Sequence, residues 1–160
     1  MARKTKSSLA EQLRQSRPFS SLEEETYLSL MRTSAELSHR IDQFFKPFGI
    51  TQSQYNVLRI LRGAGPEGLG RNEIAARMVT PTPDASRILD RLEESGWVRR
   101  KRSADDRRQV TSCITAAGQR LLKKIEQPLV AFHKGQFPGV KIADLRCMIR
   151  LLDGLRNQQS

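Results

Sequence analysis

The sequence predicts a mainly α-helical fold with one small β-hairpin, an α+β chain, and three observations carry that prediction. Apolar residues return every three or four positions through most of the chain, the spacing of helices with one buried face. The periodic stretches tend to open on Ser or Thr and to stop at Gly or Pro, the residue types that favour helix ends. Only around residues 97–115 does the pattern change, to two short β-compatible segments, WVRRKR and QVTSCIT.

Taken in order, residues 1–20 are polar and basic and read as a flexible arm, with a short helix around Leu9 to Leu13. Ser21-Leu22-Glu23-Glu24 fits a capping box, in which the Ser oxygen takes a free backbone N–H and the Glu returns the bond. From there Tyr27, Leu30, Met31, Leu37, Ile41, Phe44, Phe45 and Phe48 mark one broad apolar face, and Pro47 and Gly49 end the helix. At 3.6 residues per turn this helix is longer than a compact single core needs, which assigns it to packing outside its own domain.

A second capping box, Thr51-Gln52-Ser53-Gln54, opens a helix carrying Tyr55, Val57, Leu58, Ile60 and Leu61. It stops at GAGPEGLG, residues 63–70, which reads as a turn. RNEIAARM is a short helix with Ile74, Ala75 and Met78 inward. In TPTPDASRILDRLEESG, Thr82-Pro83 is the favoured cap and first-turn pair, and Gly96 is the stop. Ile88, Leu89 and Leu92 form the inner face of that helix; Asp84, Ser86, Arg87, Asp90 and Arg91 form the outer one. Residues 103–109 separate the two β segments, with Val98, Val110 and Ile114 expected inward. Thr115 caps a helix with Leu121, Leu122, Ile125, Leu129 and Phe132, kinked at Pro128. A last amphipathic helix carries Ile142, Leu145, Met148, Ile149, Leu152 and Leu155.

At 160 residues the chain is the size of one domain and can bury a core without disulfides. Lys and Arg outnumber Asp and Glu by 28 to 17, and the net charge of +11 favours an anionic partner, nucleic acid before acidic membrane. Cys113 and Cys147 make no CxxC motif and read as small apolar fillers in a reducing compartment. No apolar run reaches the length of a membrane span, and the basic N-terminus lacks the apolar core of a secretory signal. A soluble, cytoplasmic protein with no membrane partner is expected. No nucleophile, base and orienting group stand at a recognisable spacing, so neither an enzyme nor a cofactor is expected.

Three short helices followed by a two-stranded hairpin is the order of a winged helix-turn-helix, whose third helix presents its N-terminal residues to the major groove. Here that helix would present Thr82, Pro83, Asp84, Ser86, Arg87 and Arg91. VRRKRSADDRRQV, residues 98–110, then reads as the wing. Arg99, Lys101, Arg102 and Arg107 are candidate phosphate contacts, and only one face of a wing strand meets DNA. Arg108 is the candidate for a narrow minor groove, where negative potential concentrates, with the Asp106 carboxylate orienting its guanidinium.

EIAARM, then TPDASRILDRLEESGWVRRKRSADDRRQVTSCITAAG, resembles the core of the MarR family of transcription regulators. The shared pattern is a recognition helix with Arg87 to Leu92, then Gly96, a basic strand, Asp106-x-Arg108 in the wing, and Thr115 before the next helix. It runs without gaps from about Thr51 to Gly118. The resemblance implies a homodimeric repressor on a pseudo-palindromic operator in double-stranded DNA, released by a small aromatic or anionic effector. It divides the chain into an arm (1–20), a dimerisation helix (21–48), a winged helix-turn-helix lobe (49–114) and C-terminal dimerisation helices (115–160), one structural domain overall. It also makes His39, Phe44, Tyr55 and Arg59 the candidate effector residues, with His39 and Arg59 meeting a carboxylate. Trp97 stands where the family has an aliphatic residue and reads as core packing. Asp84 repels phosphate unless it caps the helix or accepts from a cytosine amino group. Peroxide-sensing relatives carry a cysteine near the start of the first long helix, and zinc-sensing relatives carry His, Cys and Glu clusters; this sequence has neither, so no redox or metal centre is expected. The alternative is an interaction module whose basic face binds an acidic protein partner.

Overall fold

The computed structural model describes residues 8–80, 84–102 and 110–157. Its contacts divide the chain into two compact units, Met1–Gln52 and Ser53–Ser160.

In the first unit Ser8 caps a one-turn helix, α1 (Leu9–Gln12), by a full capping box: Glu11 N–H donates to Ser8 Oγ at 3.3 Å, and Ser8 N–H donates to the Glu11 carboxylate at 2.9 Å. The long helix α2 (Leu22–Phe45) starts where its sequence signal lies, with Glu24 N–H donating to Ser21 Oγ at 3.2 Å. The return bond is displaced by one residue. The Glu24 carboxylate accepts from the Ser20 N–H at 2.6 Å and from the Ser20 hydroxyl, two donors where Ser21 would offer one. These bonds, the hydroxyl's first, hold the Glu24 carboxyl below its usual range. A 3-10 turn (Lys46–Phe48) containing Pro47 follows, and Gly49 ends it at φ +67°. Phe44 packs on Phe45 and Phe48 at ring-centroid distances of 5.1 and 5.4 Å. Along α2 only Ile41 and Phe45 are buried, while Leu22, Tyr27, Leu30 and Met31 are exposed.

The second unit holds α3 (Gln52–Ala64, from its second residue), β1 (Leu69–Gly70), α4 (Arg71–Arg77), α5 (Ala85–Glu94), β2 (Val98–Arg102), β3 (Val110–Ile114), α6 (Ala116–Gly135) and α7 (Ile142–Asn157). Its core contains many of the residues the periodicity selected: Val57, Leu58 and Leu61 of α3, Ile74 of α4 with Met78 just after it, Leu89 and Leu92 of α5, and Leu122, Ile125 and Leu129 of α6. Val98 pairs with Ile114 and Arg102 with Val110, so the seven-residue gap expected between the strands is the one observed.

Three expectations about these elements need correction. GAGPEGLG is more than a turn, because Leu69 and Gly70 pair with Ser112 and Thr111 and make the sheet three-stranded, in the order β1-β3-β2. Gly68 permits this: at φ +71°, a Cβ there would lie 2.3 Å from the Ser112 carbonyl oxygen and 2.5 Å from Cys113 Sγ. Val110 is 41 % exposed rather than inward, since it opens β3 at the wing end, about 13 Å along the hairpin from the buried Val98. Cys113 is a buried filler, its thiol 3.4 Å from the Pro66 carbonyl, but Cys147 is exposed on α7, which has no buried residue at all. α6 continues past Pro128, which lies on its exposed side where water can take the carbonyl that lacks a partner.

Candidate nucleic-acid interface

α5 has three stripes at helical spacing. Ala85, Leu89 and Leu92 are buried and fix its depth in the core. Asp84, Arg87 and Arg91, three and four residues apart, are exposed together on a second stripe. Ser86, Asp90 and Glu93 form the third, which faces the wing. Arg71, Asn72, Ser86, Asp90, Arg100 and Thr111 line a groove of about 570 Å³ between the start of α4, α5 and the strands. After α4, the Val79 N–H donates to Asn56 Oδ1 of α3 at 2.9 Å.

α5 starts later than the sequence suggested. Asp84 occupies the cap position but makes no side-chain cap bond, and Ala85 is the first helical residue. Thr82 and Pro83 lie outside the described residues.

β2 is an edge strand, and its side chains alternate. Arg99 and Lys101 are exposed on one side. Arg100 turns the other way, its guanidinium pairing with Asp90 and lying 3.5 Å from Glu93, while its backbone N–H donates to Glu93 Oε1 at 3.1 Å. The partner of Asp90 is thus on the neighbouring strand and not on its own helix. The alternation of a five-residue strand already separated Arg100 from Arg99 and Lys101, but not which element it would meet. Arg102 ends β2 opposite Val110. Asp106, Arg107 and Arg108 lie outside the described residues.

The hairpin is tied to the helix behind it through Thr115. Its hydroxyl donates to the Gly96 carbonyl at 2.7 Å and accepts the Gly118 N–H at 3.2 Å, capping α6. Gly118 lies so close that a Cβ there would be 2.4 Å from the Trp97 carbonyl oxygen.

Of the four effector candidates, His39 is exposed on α2 and Phe44 belongs to the aromatic group of the first unit. Tyr55 and Arg59 meet on α3, where Arg59 Nη1 donates to the Tyr55 hydroxyl at 3.1 Å and the guanidinium lies 5.9 Å from the ring centre. Among the described residues no cluster of His, Cys, Asp or Glu is built to hold a metal ion, and no helix is long and apolar enough to cross a membrane.

A helix with a polar stripe beside a basic-edged hairpin defines a winged-helix, DNA-binding class of protein. Residues 50–110 match the MarR family model. The HTH-type transcriptional regulator YwoH of Bacillus subtilis is 30% identical over 98 residues, covering 61% of this chain and 69% of that protein. Other curated relatives are matched over as little as 57% of their length. The crystal structure of a MarR transcription factor from Planctomyces limnophilus is 38% identical, with a TM-score of 0.67 over 85% of this chain and 98% of that one. CouR from Rhodococcus jostii, solved with p-coumaroyl-CoA bound, is 25% identical with a TM-score of 0.69, over 86% of this chain and 95% of its own. The chain belongs to the MarR family and is a DNA-binding transcriptional regulator.

Proposed function

We propose that the protein is a homodimeric repressor that binds a pseudo-palindromic operator and is released by a small aromatic or anionic ligand. The observation that carries the DNA reading is the exposed stripe of Asp84, Arg87 and Arg91 on α5, with Arg99 and Lys101 exposed on the wing strand, in a chain of net charge +11. Arg87 and Arg91, with Ser86 at the groove, supply the base and phosphate contacts, and Arg99 and Lys101 track the backbone, with Arg102 and Arg107 as further candidates. Arg108, oriented by Asp106, enters the minor groove.

The dimer reading rests on uncovered apolar surface. Ile142, Met148, Ile149, Leu151 and Leu155 of α7 are exposed in the single chain, as are Tyr27, Leu30 and Met31 of α2. A second copy covers them, and two-fold symmetry then sets half-sites about 10 to 10.5 base pairs apart. The effector reading is supported by the ligand bound to CouR and by the Tyr55–Arg59 pair, an aromatic ring beside a cation; His39 and Phe44 are further candidates.

Fluorescence anisotropy against the intergenic DNA beside the protein's own gene, and against a scrambled duplex of equal length, tests the reading. Tight selective binding is expected, weakened in Arg87→Ala by about 1 to 3 kcal/mol with relaxed sequence preference. Lys101→Ala weakens both duplexes alike and reduces the log–log salt slope by about 0.9. Equal, weak binding of both duplexes, with capture of an acidic protein instead, refutes the operator reading in favour of an interaction module.

A further inference from the structure

The basic run Arg99-Arg100-Lys101 is divided by the strand's own alternation, and its middle residue is turned onto α5 while staying partly exposed. Arg100 keeps 32% side-chain exposure, and both its ends are held by α5. The guanidinium reaches two carboxylates, Asp90 and Glu93, which lie three residues apart on the same face of α5. Glu93 also accepts the Arg100 backbone N–H at 3.1 Å, a donor that an edge strand would otherwise leave open to pairing. An isolated surface ion pair contributes little. Here three contacts converge on one residue, and they join the two elements that face DNA.

We propose that Arg100 is a positioning residue, a clasp that sets the wing against the recognition helix, and not a DNA contact. The inference rests on the DNA-binding reading above. Arginine suits the task because its planar fork reaches two carboxylates at once, whereas a lysine ammonium is a point charge. The clasp has a second effect. It neutralises acidic groups that would otherwise stand beside the incoming phosphates, so the recognition helix can carry Asp90 and Glu93 without repelling DNA.

The test uses the full chain and a duplex selected by the wild type from a random-sequence library. Arg100→Gln and Arg100→Lys are each expected to weaken binding about tenfold, within the range of couplings between contacting residues. The salt slope stays that of the wild type, and thermal denaturation checks that each variant remains folded. Asp90→Ala with Glu93→Ala is the decisive variant. It removes two negative charges, so electrostatics alone predicts tighter binding; the clasp predicts weaker binding. Tighter or unchanged binding overturns the proposal, as does a fall of about 0.9 in the salt slope of Arg100→Gln, the mark of a lost phosphate contact. Hydrogen exchange at the Arg100 amide separates the two readings without DNA. The clasp predicts faster exchange in the Asp90/Glu93 double variant, and unchanged exchange refutes it. If the wild type selects no duplex while that amide responds, the DNA reading fails and the clasp stands as a structural contact only.

Discussion

Three glycines in and beside the loop 63–70 make a graded test of the β1–β3 approach, because each stands in a different environment. Gly63 lies near the end of α3 with nothing within 4 Å of a built Cβ. Alanine there removes backbone freedom from the unfolded chain and should add about 0.5 to 1 kcal/mol of stability. Gly65 is equally open but sits at φ +76°, so alanine adds only left-handed strain, about 1.5 kcal/mol. Gly68 combines φ +71° with a Cβ position 2.3 Å from the Ser112 carbonyl oxygen and 2.5 Å from Cys113 Sγ. The first contact is with backbone, so relief requires β1 and β3 to separate. Overpacking of that kind costs a further 2 kcal/mol or so, for a total of about 3.5 kcal/mol. For a chain of this size one kcal/mol moves the melting temperature by about 2 to 4 °C. Thermal denaturation followed by circular dichroism should therefore rank Gly63→Ala just above wild type. Gly65→Ala should fall about 3 to 6 °C below it, and Gly68→Ala about 7 to 14 °C below. If Gly68→Ala melts together with Gly65→Ala, the close approach is absent from the folded protein, and residues 63–70 are the plain turn the sequence suggested.

Two further outcomes follow from capping chemistry. Thr115→Val deletes both the α6 cap and the donor to the Gly96 carbonyl, and should cost about 2 kcal/mol. Its melting temperature should fall by about 4 to 8 °C, and an unchanged one would contradict the two bonds. The Glu24 carboxyl titrates below its ordinary value of 4.5 because the charged form accepts from Ser20. A carboxyl depressed in the folded state adds stability above its unfolded value and loses it as the pH falls. The start of α2 should thus fray in acid. In an NMR titration Ser20→Ala should raise the Glu24 midpoint toward 4.5, and a wild-type midpoint at or above that value would rule out the Ser20 bonds.

Much of the fold was legible because helical periodicity and end chemistry agree. Ser21, Gly49, Thr115 and the buried helix residues from Val57 to Leu129 stand where spacing placed them. What escaped was of a different physical kind. A two-residue strand has too few residues to show a period, so β1 could be found only through its partner β3. The exposure of Val110 depends on how far the helices cover the hairpin, and that of Cys147 on α7 having no cover within one chain; neither is a property of the local pattern. The return bond of the α2 box went to Ser20 because two adjacent serines compete for one carboxylate, and spacing does not rank them.

The site was legible in outline and misleading in proportion. Six basic residues between 98 and 110 suggest six contacts with an anion, yet a strand cannot aim consecutive side chains the same way. The pleat sends Arg99 and Lys101 to one side and Arg100 to the other, where two acidic residues of α5 already stand. The same acidic residues look unfavourable on a helix meant for DNA, until the basic strand that answers them is placed beside it. The positive charge of the wing therefore divides between holding the interface in shape and attracting its ligand. The net charge of +11 overstates the second share. A count of phosphates released on binding should accordingly fall short of a count of basic residues in the wing, and the salt slope is the quantity that measures the difference.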